Sequence, residues 1–450
     1  MDVRPLVRKA QCMHLSEGQD VRCSTQLGDL PDKILWHILS FLRLKDVVRT
    51  STLSKRWEHL SKNNPRLDAS ELDFPGQTLF VNFVDTALLL QDFPLKRFSI
   101  SCQTDFDRSH IDAWITAAVR RRVEELHVRR HGGLLEYVLP SCVFNCETLI
   151  ELRLFMLHQL RLPALVCLKN LKVLTLAWVD FGGDSSVEKL LSCPSLEELS
   201  LIACKWRRLK VLHISAPKLL RLDIVEDSFY KNLESTFYVG IHGAHIESFT
   251  YSGQFIDRYT ISSSSSLVVA RIDMFICERP HHHAAYHGYK LLKDLSCVKR
   301  LSLHNVGEFL HERPDLLKSL PVFSNLTELA LDAFNGLPLE SRFLVAMLDK
   351  CPRLSHLSFT RGIPAESETV DAIFNPAPRC FVSSLKVIKI SRFQVGDKAL
   401  LAIRNVLRTA GVLEKLFIHP PWGKQLPESL LPLLKELPRA SDQCEFFLGS

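Results

Sequence analysis

The sequence has no hydrophobic run long enough to cross a membrane. Its apolar stretches are a handful of residues, such as Ala87-Leu88-Leu89-Leu90, whereas a transmembrane helix needs about 18 or more. The first 26 residues scatter charged side chains among apolar ones and lack the continuous apolar core of a secretory signal. We therefore predict no membrane partner and a protein that stays in the cytoplasm, the nucleus or both.

The cysteines do not form a disulfide or zinc framework. There are 13 of them, an odd number, and no two are spaced as C-x-x-C. Both features argue against a disulfide scaffold and against a zinc finger. We expect reduced, mostly buried thiols and no metal or other cofactor.

Neither sign of charge is in large excess. The 56 Lys and Arg against 50 Asp and Glu leave a net charge of +6 over 450 residues, and no single long basic run holds it. Nucleic acid is therefore not a predicted partner. The short runs Arg120-Arg121-Arg122 and Arg129-Arg130 could be solvated faces, a weak nuclear-import signal or contacts to an anionic ligand, and the sequence alone does not decide among these.

Common catalytic motifs are also missing. The sequence contains no G-x-S-x-G, P-loop, H-E-x-x-H or G-x-G-x-x-G pattern. We predict a protein that is not an enzyme and has no catalytic residues.

A leucine repeat runs through most of the chain. Clear copies of L-x-x-L-x-L begin at Leu149, Leu171 and Leu196, and weaker copies extend the pattern from Leu95 to Ile418. Thirteen copies follow one another at steps of 21 to 31 residues, the spacing of leucine-rich repeats. The pattern predicts an α/β fold, a curved horseshoe with parallel strands on the concave face.

In such a solenoid, each motif contributes a short strand whose alternate side chains point inward. The outward positions between the leucines then form the candidate substrate surface. These are Glu151, Arg153, Thr175, Glu198, Ser200, Arg221 and Asp223. For any single one of them, a solvated strand residue is the favoured alternative.

The residues between strands should return as helix or irregular chain. Segments 187–191 and 343–348 have helical spacing and are followed by Cys193-Pro194 and Cys351-Pro352, which should end each helix. The long step between Ile272 and Val298 predicts an inserted loop. This loop would carry His281, His282, His283 and His287, a short histidine tract without the other ligands of a metal site.

Residues 27–66 do not follow the repeat. Leu30-Pro31 precedes a segment with Ile34, Leu35, Ile38, Leu39 and Leu42 on one helical face. Two further short helices are predicted after it, and Asp46 is a candidate N-cap for the first of them. About 40 residues bury little core, so an apolar surface left over would need a partner.

This segment resembles the F-box, in its plant form. The similarity rests on Leu30-Pro31, on Ile38-Leu39-Ser40-Phe41-Leu42 and on Leu53-Ser54-Lys55-Arg56-Trp57. Arg43 departs from the pattern, because the family usually has proline there. The segment from Leu400 to Ile418, with Leu437 to Ser441 and a strand at Cys444 to Phe447, is similar to the FBD module that closes plant F-box and leucine-rich-repeat proteins.

The resemblance implies four parts. They are a disordered lead-in (1–26), a three-helix F-box (27–66), a leucine-rich-repeat solenoid (90–380) and an FBD-like C-terminal repeat and cap (381–448).

The resemblance also implies a substrate adaptor of a Skp-cullin-F-box ubiquitin ligase. A Skp-type adaptor would bind the F-box and link it to the cullin and RING subunits, while the repeats hold a protein substrate. Matching positions assign the adaptor interface to Leu30, Pro31, Ile34, Ile38, Leu39, Leu53 and Trp57. For Leu39 and Trp57, a place in the F-box's own core is an equal alternative. Two other functions stay open: a ligand-dependent F-box receptor of the hormone-receptor type, and a leucine-rich scaffold outside any ligase.

Overall fold

The computed structural model describes most of the chain in two compact units, Met1–Asn64 and Pro65–Ser450. The described residues are 27–39, 41–42, 44–62, 64–90, 94–104, 107–131, 137–157, 159–181, 186–206, 209–227, 237–243, 245–255, 257–262, 264–275, 283–305, 313–332, 341–363, 374 and 377–449. The predicted disordered lead-in and Arg43 lie outside them.

The first unit consists of three short helices after a 3-10 turn at Leu27–Asp29. They are α1 (Asp32–Leu39), α2 (Leu44–Thr50) and α3 (Lys55–Lys62). The second helix begins at Leu44, so the prediction of Asp46 as its N-cap is wrong, and Asp46 lies in the first turn, near Arg49. The core of the unit is formed by Leu35, Leu39, Val47, Trp57 and Leu60.

Local sequence explains where these helices start. The carbonyl of Pro31 accepts hydrogen bonds from the backbone N–H groups of Ile34 and Leu35, at 2.9 and 3.1 Å, and proline suits the first turn because it has no N–H to leave unpaired. Ser54 precedes α3, and its Oγ accepts from the N–H of Trp57 at 3.3 Å, as an N-cap residue does.

The second unit is built on one long parallel sheet with fifteen strands in the described part of the chain. In spatial order they are β1 (Arg66–Ser70), β2 (Arg97–Cys102), β3 (Glu125–Arg130), β5 (Glu151–Met156), β7 (Val173–Ala177), β8 (Glu198–Ile202), β10 (Arg221–Val225), β12 (Ser248–Gly253), β14 (Val269–Met274), β15 (Arg300–His304), β16 (Glu328–Asp332), β17 (His356–Phe359), β18 (Val387–Ile390), β19 (Lys415–Ile418) and β20 (Glu445–Leu448).

The register of this sheet confirms the predicted repeat. The second and third apolar positions of the thirteen motifs lie on thirteen consecutive strands, β2 to β19, and pair with their counterparts on the next strand, as Leu152 does with Leu174 and Leu154 with Leu176. Each of the three motif positions is exposed by 5% or less in every copy. One continuous apolar core therefore runs along the array, because each repeat covers the apolar face of its neighbour.

The sheet extends past both ends of the predicted solenoid. Strand β20 matches the strand predicted at Cys444 to Phe447 and pairs with β19. At the other end, β1 pairs with β2 although its inward residues, Leu67 and Ala69, make a poor copy of the motif. The long sheet thus continues on both sides of residues 90 and 380, where the sequence placed the ends of the solenoid. Those domain bounds stay a prediction.

Helices lie between many of these strands. They are α4 (Gln77–Leu90), α5 (Arg108–Arg120), α6 (Ser186–Leu191), α7 (Ala284–Asp294), α8 (Pro314–Lys318), α9 (Ser341–Asp349), α10 (Arg379–Ser383), α11 (Asp397–Thr409) and α12 (Leu430–Glu436). The predictions of helix at 187–191 and 343–348 are confirmed by α6 and α9, and both helices end before the Cys-Pro pairs.

The segments that connect the strands of the long sheet differ from the prediction in two regions. In the middle repeats the returning segments form a second parallel sheet, of β9 (Val211–Ile214), β11 (Tyr238–His242) and β13 (Arg258–Ser262), and a short pair, β4 (Tyr137–Val138) with β6 (Leu160–Arg161), lies earlier. β-Branched and aromatic residues are frequent in β9, β11 and β13, which favours strand over helix. The predicted loop after Ile272 contains α7, where His287 is buried with its Nδ1 3.0 Å from the carbonyl oxygen of Phe255; His281 and His282 lie outside the described residues.

Candidate interaction surfaces

The three-helix unit exposes large apolar side chains. Ile34 on α1 is 46% exposed, Phe41 is 76% exposed and Leu53 is 65% exposed, and Leu27 and Val48 are exposed as well. So many exposed apolar residues on so short a unit are typical of a surface that a partner covers.

The predicted adaptor-interface residues divide into two groups. Pro31, Ile34 and Leu53 are exposed, and Leu30 and Ile38 are partly buried against the core. Leu39 is fully buried and Trp57 is 6% exposed, so these two belong to the core of the unit, the alternative that the sequence left open. Phe41 and Val48 are exposed apolar residues that were not assigned to the interface.

The predicted substrate-surface residues lie on one face of the long sheet. Adjacent strands bring Arg153, Thr175, Ser200 and Asp223 into one row of register partners, and Glu151, Glu198 and Arg221 into a second row that also contains Val173. The structure therefore brings all seven together, although Thr175 is only 7% exposed and offers little surface.

Most of these polar residues pair with one another. Glu151 Oε1 lies 2.6 Å from both His127 Nε2 and Arg153 Nε, Arg221 pairs with Glu198, and Ser200 Oγ donates to Asp223 Oδ2 at 3.2 Å. The hydrogen bond with His127 is the largest cause that lowers the pKa of Glu151 to about 2, with burial opposing it and Arg153 adding to it. Paired in this way, the charges of the middle repeats largely neutralise each other.

One group of described residues has a composition suitable for a metal ion. Ligand atoms of Glu125, His127 and Glu151 lie within 4.8 Å of one another. Both carboxylates already have arginine partners, since Arg97 Nη1 lies 3.3 Å from Glu125 Oε2 and Arg153 contacts Glu151. The group is an ion-pair network, in which a divalent cation would compete with two guanidinium groups.

The arginines of the two basic runs, 120–122 and 129–130, lie in different parts of the second unit. Arg120 and Arg121 border an open groove with a volume of about 880 Å³ between α5 and the segments around Val138 and Leu162. Arg108 and Arg161 line the same groove. Arg129, in contrast, lies on the outer face of the sheet with its guanidinium 4.7 Å from the ring centroid of Phe155, and Arg130 is buried.

Sequence reasoning missed the aromatic residues on and beside the outward face of the last strands. On β19 and β20, Phe417 and Phe447 stack with ring centroids 4.7 Å apart, and Trp422 in the following turn is 91% exposed. A search for aromatic residues at outward strand positions would have found Phe417 and Phe447, because they alternate with the inward residues Leu416, Ile418 and Phe446.

No described helix is long and apolar enough to span a bilayer.

Comparison with known proteins agrees with this architecture. The family model described as the leucine-rich-repeat domain of the At1g61320/AtMIF1 type matches residues 44–425. Three similar proteins of Arabidopsis thaliana are F-box/LRR-repeat protein 13 (31% identical, covering 91% of this chain and 92% of that protein), FBD-associated F-box protein At1g66310 (30%, 87% and 89%) and F-box/FBD/LRR-repeat protein At1g78750 (28%, 93% and 95%).

The repeated strands, the unbroken sheet and the helices between its strands define a leucine-rich-repeat protein. The match with these relatives over nearly its whole length narrows the class: the chain belongs to the plant F-box/leucine-rich-repeat family.

Proposed function

We propose that this protein is the substrate-recognition adaptor of a Skp-cullin-F-box ubiquitin ligase, acting in the cytoplasm, the nucleus or both. The first unit is its three-helix F-box and binds a Skp-type adaptor, which links it to the cullin and RING subunits. The second unit binds a protein substrate. The observation that carries this proposal is the set of large exposed apolar residues on the first unit, namely Leu27, Ile34, Phe41, Val48 and Leu53.

In this function the protein is a positioning subunit and performs no chemistry. Holding a substrate beside the ubiquitin-loaded enzyme raises the effective concentration of the substrate's lysines at the reacting thioester. The unbroken sheet suits such a role, because its outward face offers many adjacent side chains on rigid strands.

We expect the hydrophobic effect to provide much of the free energy of adaptor binding. Burying Ile34, Phe41 and Leu53 removes apolar area from water at about 25 cal/mol per Å². Leu39 and Trp57 act indirectly, because they fix the angles at which the helices present those residues.

The test is co-expression with a Skp-type adaptor, followed by size-exclusion chromatography. The variant Ile34→Asp plus Leu53→Asp places two charges in the proposed interface at positions that are exposed in the free chain. It should fold as the wild type does and lose the one-to-one complex, because each buried carboxylate would be unpaired. Leu39→Asp is unsuitable, since it would break the core of the unit.

Leu72→Asp plus Leu89→Asp is the matched control. Both leucines are exposed and lie in the second unit, so the same change in chemistry should leave the complex intact. If the wild type forms no complex, or if the variant with Asp at positions 34 and 53 retains it, the adaptor function proposed for the first unit is wrong and a scaffold outside the ligase becomes the better description.

A second candidate is a ligand-dependent receptor, and the arginine-lined groove favours it. Arg108, Arg120, Arg121 and Arg161 contribute four positive charges to the groove, whose lining includes one acid, Asp112. Inorganic pyrophosphate is a suitable probe. A rise in thermal midpoint with pyrophosphate that is abolished by Arg120→Glu would support an anionic ligand, and no shift in the wild type would remove this candidate.

A further inference from the structure

The last strands of the long sheet carry an aromatic pair on their outward face. Phe417 of β19 and Phe447 of β20 are direct register partners. Their rings stack at a centroid distance of 4.7 Å with 17° between the planes, and Phe447 is 39% exposed. Phe417 is half-buried. A partly exposed pair of stacked rings on a rigid sheet is a preformed apolar contact, with few rotamers to lose on binding.

A third aromatic residue follows in the turn after β19. Trp422 is 91% exposed and comes after Pro420-Pro421 and before Gly423. The φ angle of Gly423 is 72°, a conformation that glycine adopts without strain. Two prolines and a glycine thus give the turn a defined course, and the indole projects into solvent.

Three exposed lysines accompany these rings. Lys389 of β18 is the register partner of Phe417, Lys415 precedes Phe417 on the same strand, and Lys424 shares the turn with Trp422. Within the described part of the chain none of the three forms an ion pair, whereas Lys386, directly before β18, has its Nζ 2.7 Å from Oε1 of Glu414, directly before β19. Strands β18, β19 and β20 contain one acidic residue, Glu445, which is the register partner of Lys415.

This combination differs from that of the middle repeats. There the outward charges pair with one another, as Arg153 does with Glu151 and Arg221 with Glu198. At the C-terminal strands Lys389 and Lys415 form no ion pair among the described residues, and both lie on the same face of the sheet as the half-buried ring of Phe417. A ligand of opposite charge would therefore displace no existing ion pair of these lysines.

We infer that the substrate binds at the C-terminal aromatic cluster, and that the part of the substrate bound there is an acidic peptide segment with an aromatic or branched apolar side chain. The C-terminal aromatic cluster consists of Phe417, Phe447, Trp422, Lys389, Lys415 and Lys424. The apolar side chain packs on the rings, where aromatic residues give most of the binding energy in protein interfaces. The acidic groups face the lysines and the electropositive ring edges. This inference rests on the proposed function and gives the chemical class of its substrate.

Single-stranded nucleic acid is the less suitable ligand. Bases bind by stacking on open ring faces along a positively charged groove, but Phe417 and Phe447 cover one face of each other. Three lysines with Glu445 among them are also few for neutralising phosphates, which provide most of the affinity for nucleic acid.

The experiment measures fluorescence anisotropy of labelled probes on the full chain, alone and in complex with a Skp-type adaptor. The main probe is a peptide of alternating Asp and Phe. Comparison probes are an alternating Lys and Phe peptide, an alternating Asp and Ser peptide, and oligouridylate. The Asp and Phe peptide should bind, and each of the three others should bind about tenfold or more weakly.

Two variants locate the site. Lys389→Glu plus Lys415→Glu changes only exposed residues and should weaken the Asp and Phe peptide about tenfold or more while strengthening the Lys and Phe peptide. Trp422→Ser should weaken the peptide without loss of stability, because the indole is almost fully exposed. Arg271→Glu, an exposed charge reversal on the same face at β14, is the matched control and should change nothing.

Equal binding by wild type and both variants would overturn the inference, and so would binding of oligouridylate with no binding of the Asp and Phe peptide. The adaptor complex is measured on the same samples, so the two failures are distinct. An intact adaptor complex with no specific peptide binding refutes only the cluster, whereas specific peptide binding without an adaptor complex refutes only the ligase function.

Discussion

The guanidinium of Arg56, on the third helix, forms an ion pair with Asp32 at the start of the first helix: Nη2 of Arg56 lies 2.6 Å from Asp32 Oδ1. The same nitrogen donates to the carbonyl oxygen of Leu30, and Nε donates to Asp32 at 3.1 Å. One side chain thus joins the Leu-Pro segment and the Leu-Ser-Lys-Arg-Trp segment, which are 26 residues apart in the chain.

Arg56→Gln should therefore loosen the first unit. An exposed ion pair contributes little to the free energy of unfolding, but the variant also loses the hydrogen bond to the carbonyl oxygen of Leu30. We expect the free energy of unfolding of the first unit to fall by about 1 kcal/mol. Arg56→Lys should not restore it, since an ammonium cannot reproduce the fork of donors. Hydrogen exchange of the α1 and α3 amides measures the effect, and unchanged protection in Arg56→Gln would contradict it.

The inward leucines of the sheet should each be costly to truncate. Leu174→Ala removes a fully buried side chain between register partners Leu152 and Leu199, and we expect about 2 to 5 kcal/mol of destabilisation in urea unfolding. Ser200→Ala, an outward change on the next strand, should stay within about 0.5 kcal/mol. Similar values for the two variants would mean that the leucine rows do not carry the stability of the array.

Much of this fold could be predicted from the sequence, and the reason is physical. The thirteen leucine motifs repeat a single packing requirement, so each copy strengthens the assignment of the next. Strand β1 was missed because one of its two inward residues is Ala69, where most copies of the motif have a larger apolar residue. The returning segments were predicted less well, since they vary in length, and β9, β11 and β13 replaced the helix or irregular chain expected there.

Binding surfaces were harder to predict than the core. Leu39 and Phe41 are both apolar and two residues apart, yet one is buried and the other is 76% exposed, a difference that depends on how three helices pack. Outward residues such as Arg153 and Lys389 look alike in the sequence. Only the structure shows that the first is ion-paired and the second has no ion-pair partner among the described residues.

The acid side of the pH profile should depend on Glu151. Its pKa is about 2 in the folded protein and about 4.3 in an unfolded chain, so the unfolded state takes up the proton first as pH falls. The stabilising contribution is complete above about pH 4.3 and is lost progressively toward pH 2. Thermal midpoints of wild type and Glu151→Gln should differ at pH 6 and converge on acidification; a constant difference would contradict the assignment.

Asp257 should act in the opposite direction. Burial, together with the nearby carboxylate of Glu226, raises the pKa of Asp257 to about 8, while an unfolded aspartate titrates near about 3.9. Between these values the folded state holds the proton and the unfolded state does not, so stability falls as pH rises from about 4 to about 8.

Burial also raises the pKa of Glu226, so part of the slope belongs to that residue. Asp257→Asn should reduce the slope, and the amide oxygen can still accept from the N–H of Phe237, which lies 3.2 Å from Asp257 Oδ1. Its thermal midpoint should exceed that of the wild type at pH 8.5 and approach it at pH 5. Parallel midpoints across that range would show that Asp257 titrates normally in the folded protein.

The buried thiols should be unreactive in the native protein. Desolvation raises the pKa of Cys380 to about 12 and that of Cys193 to about 11, and that of the buried Cys351 also rises. Since the thiolate is the reacting species, alkylation of these three by iodoacetamide should be slower than that of an exposed cysteine by about a hundredfold or more. Among the described cysteines, Cys142, Cys167 and Cys297 are only partly buried and should react before these three, as site-resolved mass spectrometry would show. Rapid native labelling of Cys351 would mean that the repeat around α9 opens far more often than a packed solenoid allows, because alkylation then reports local unfolding rather than the folded state.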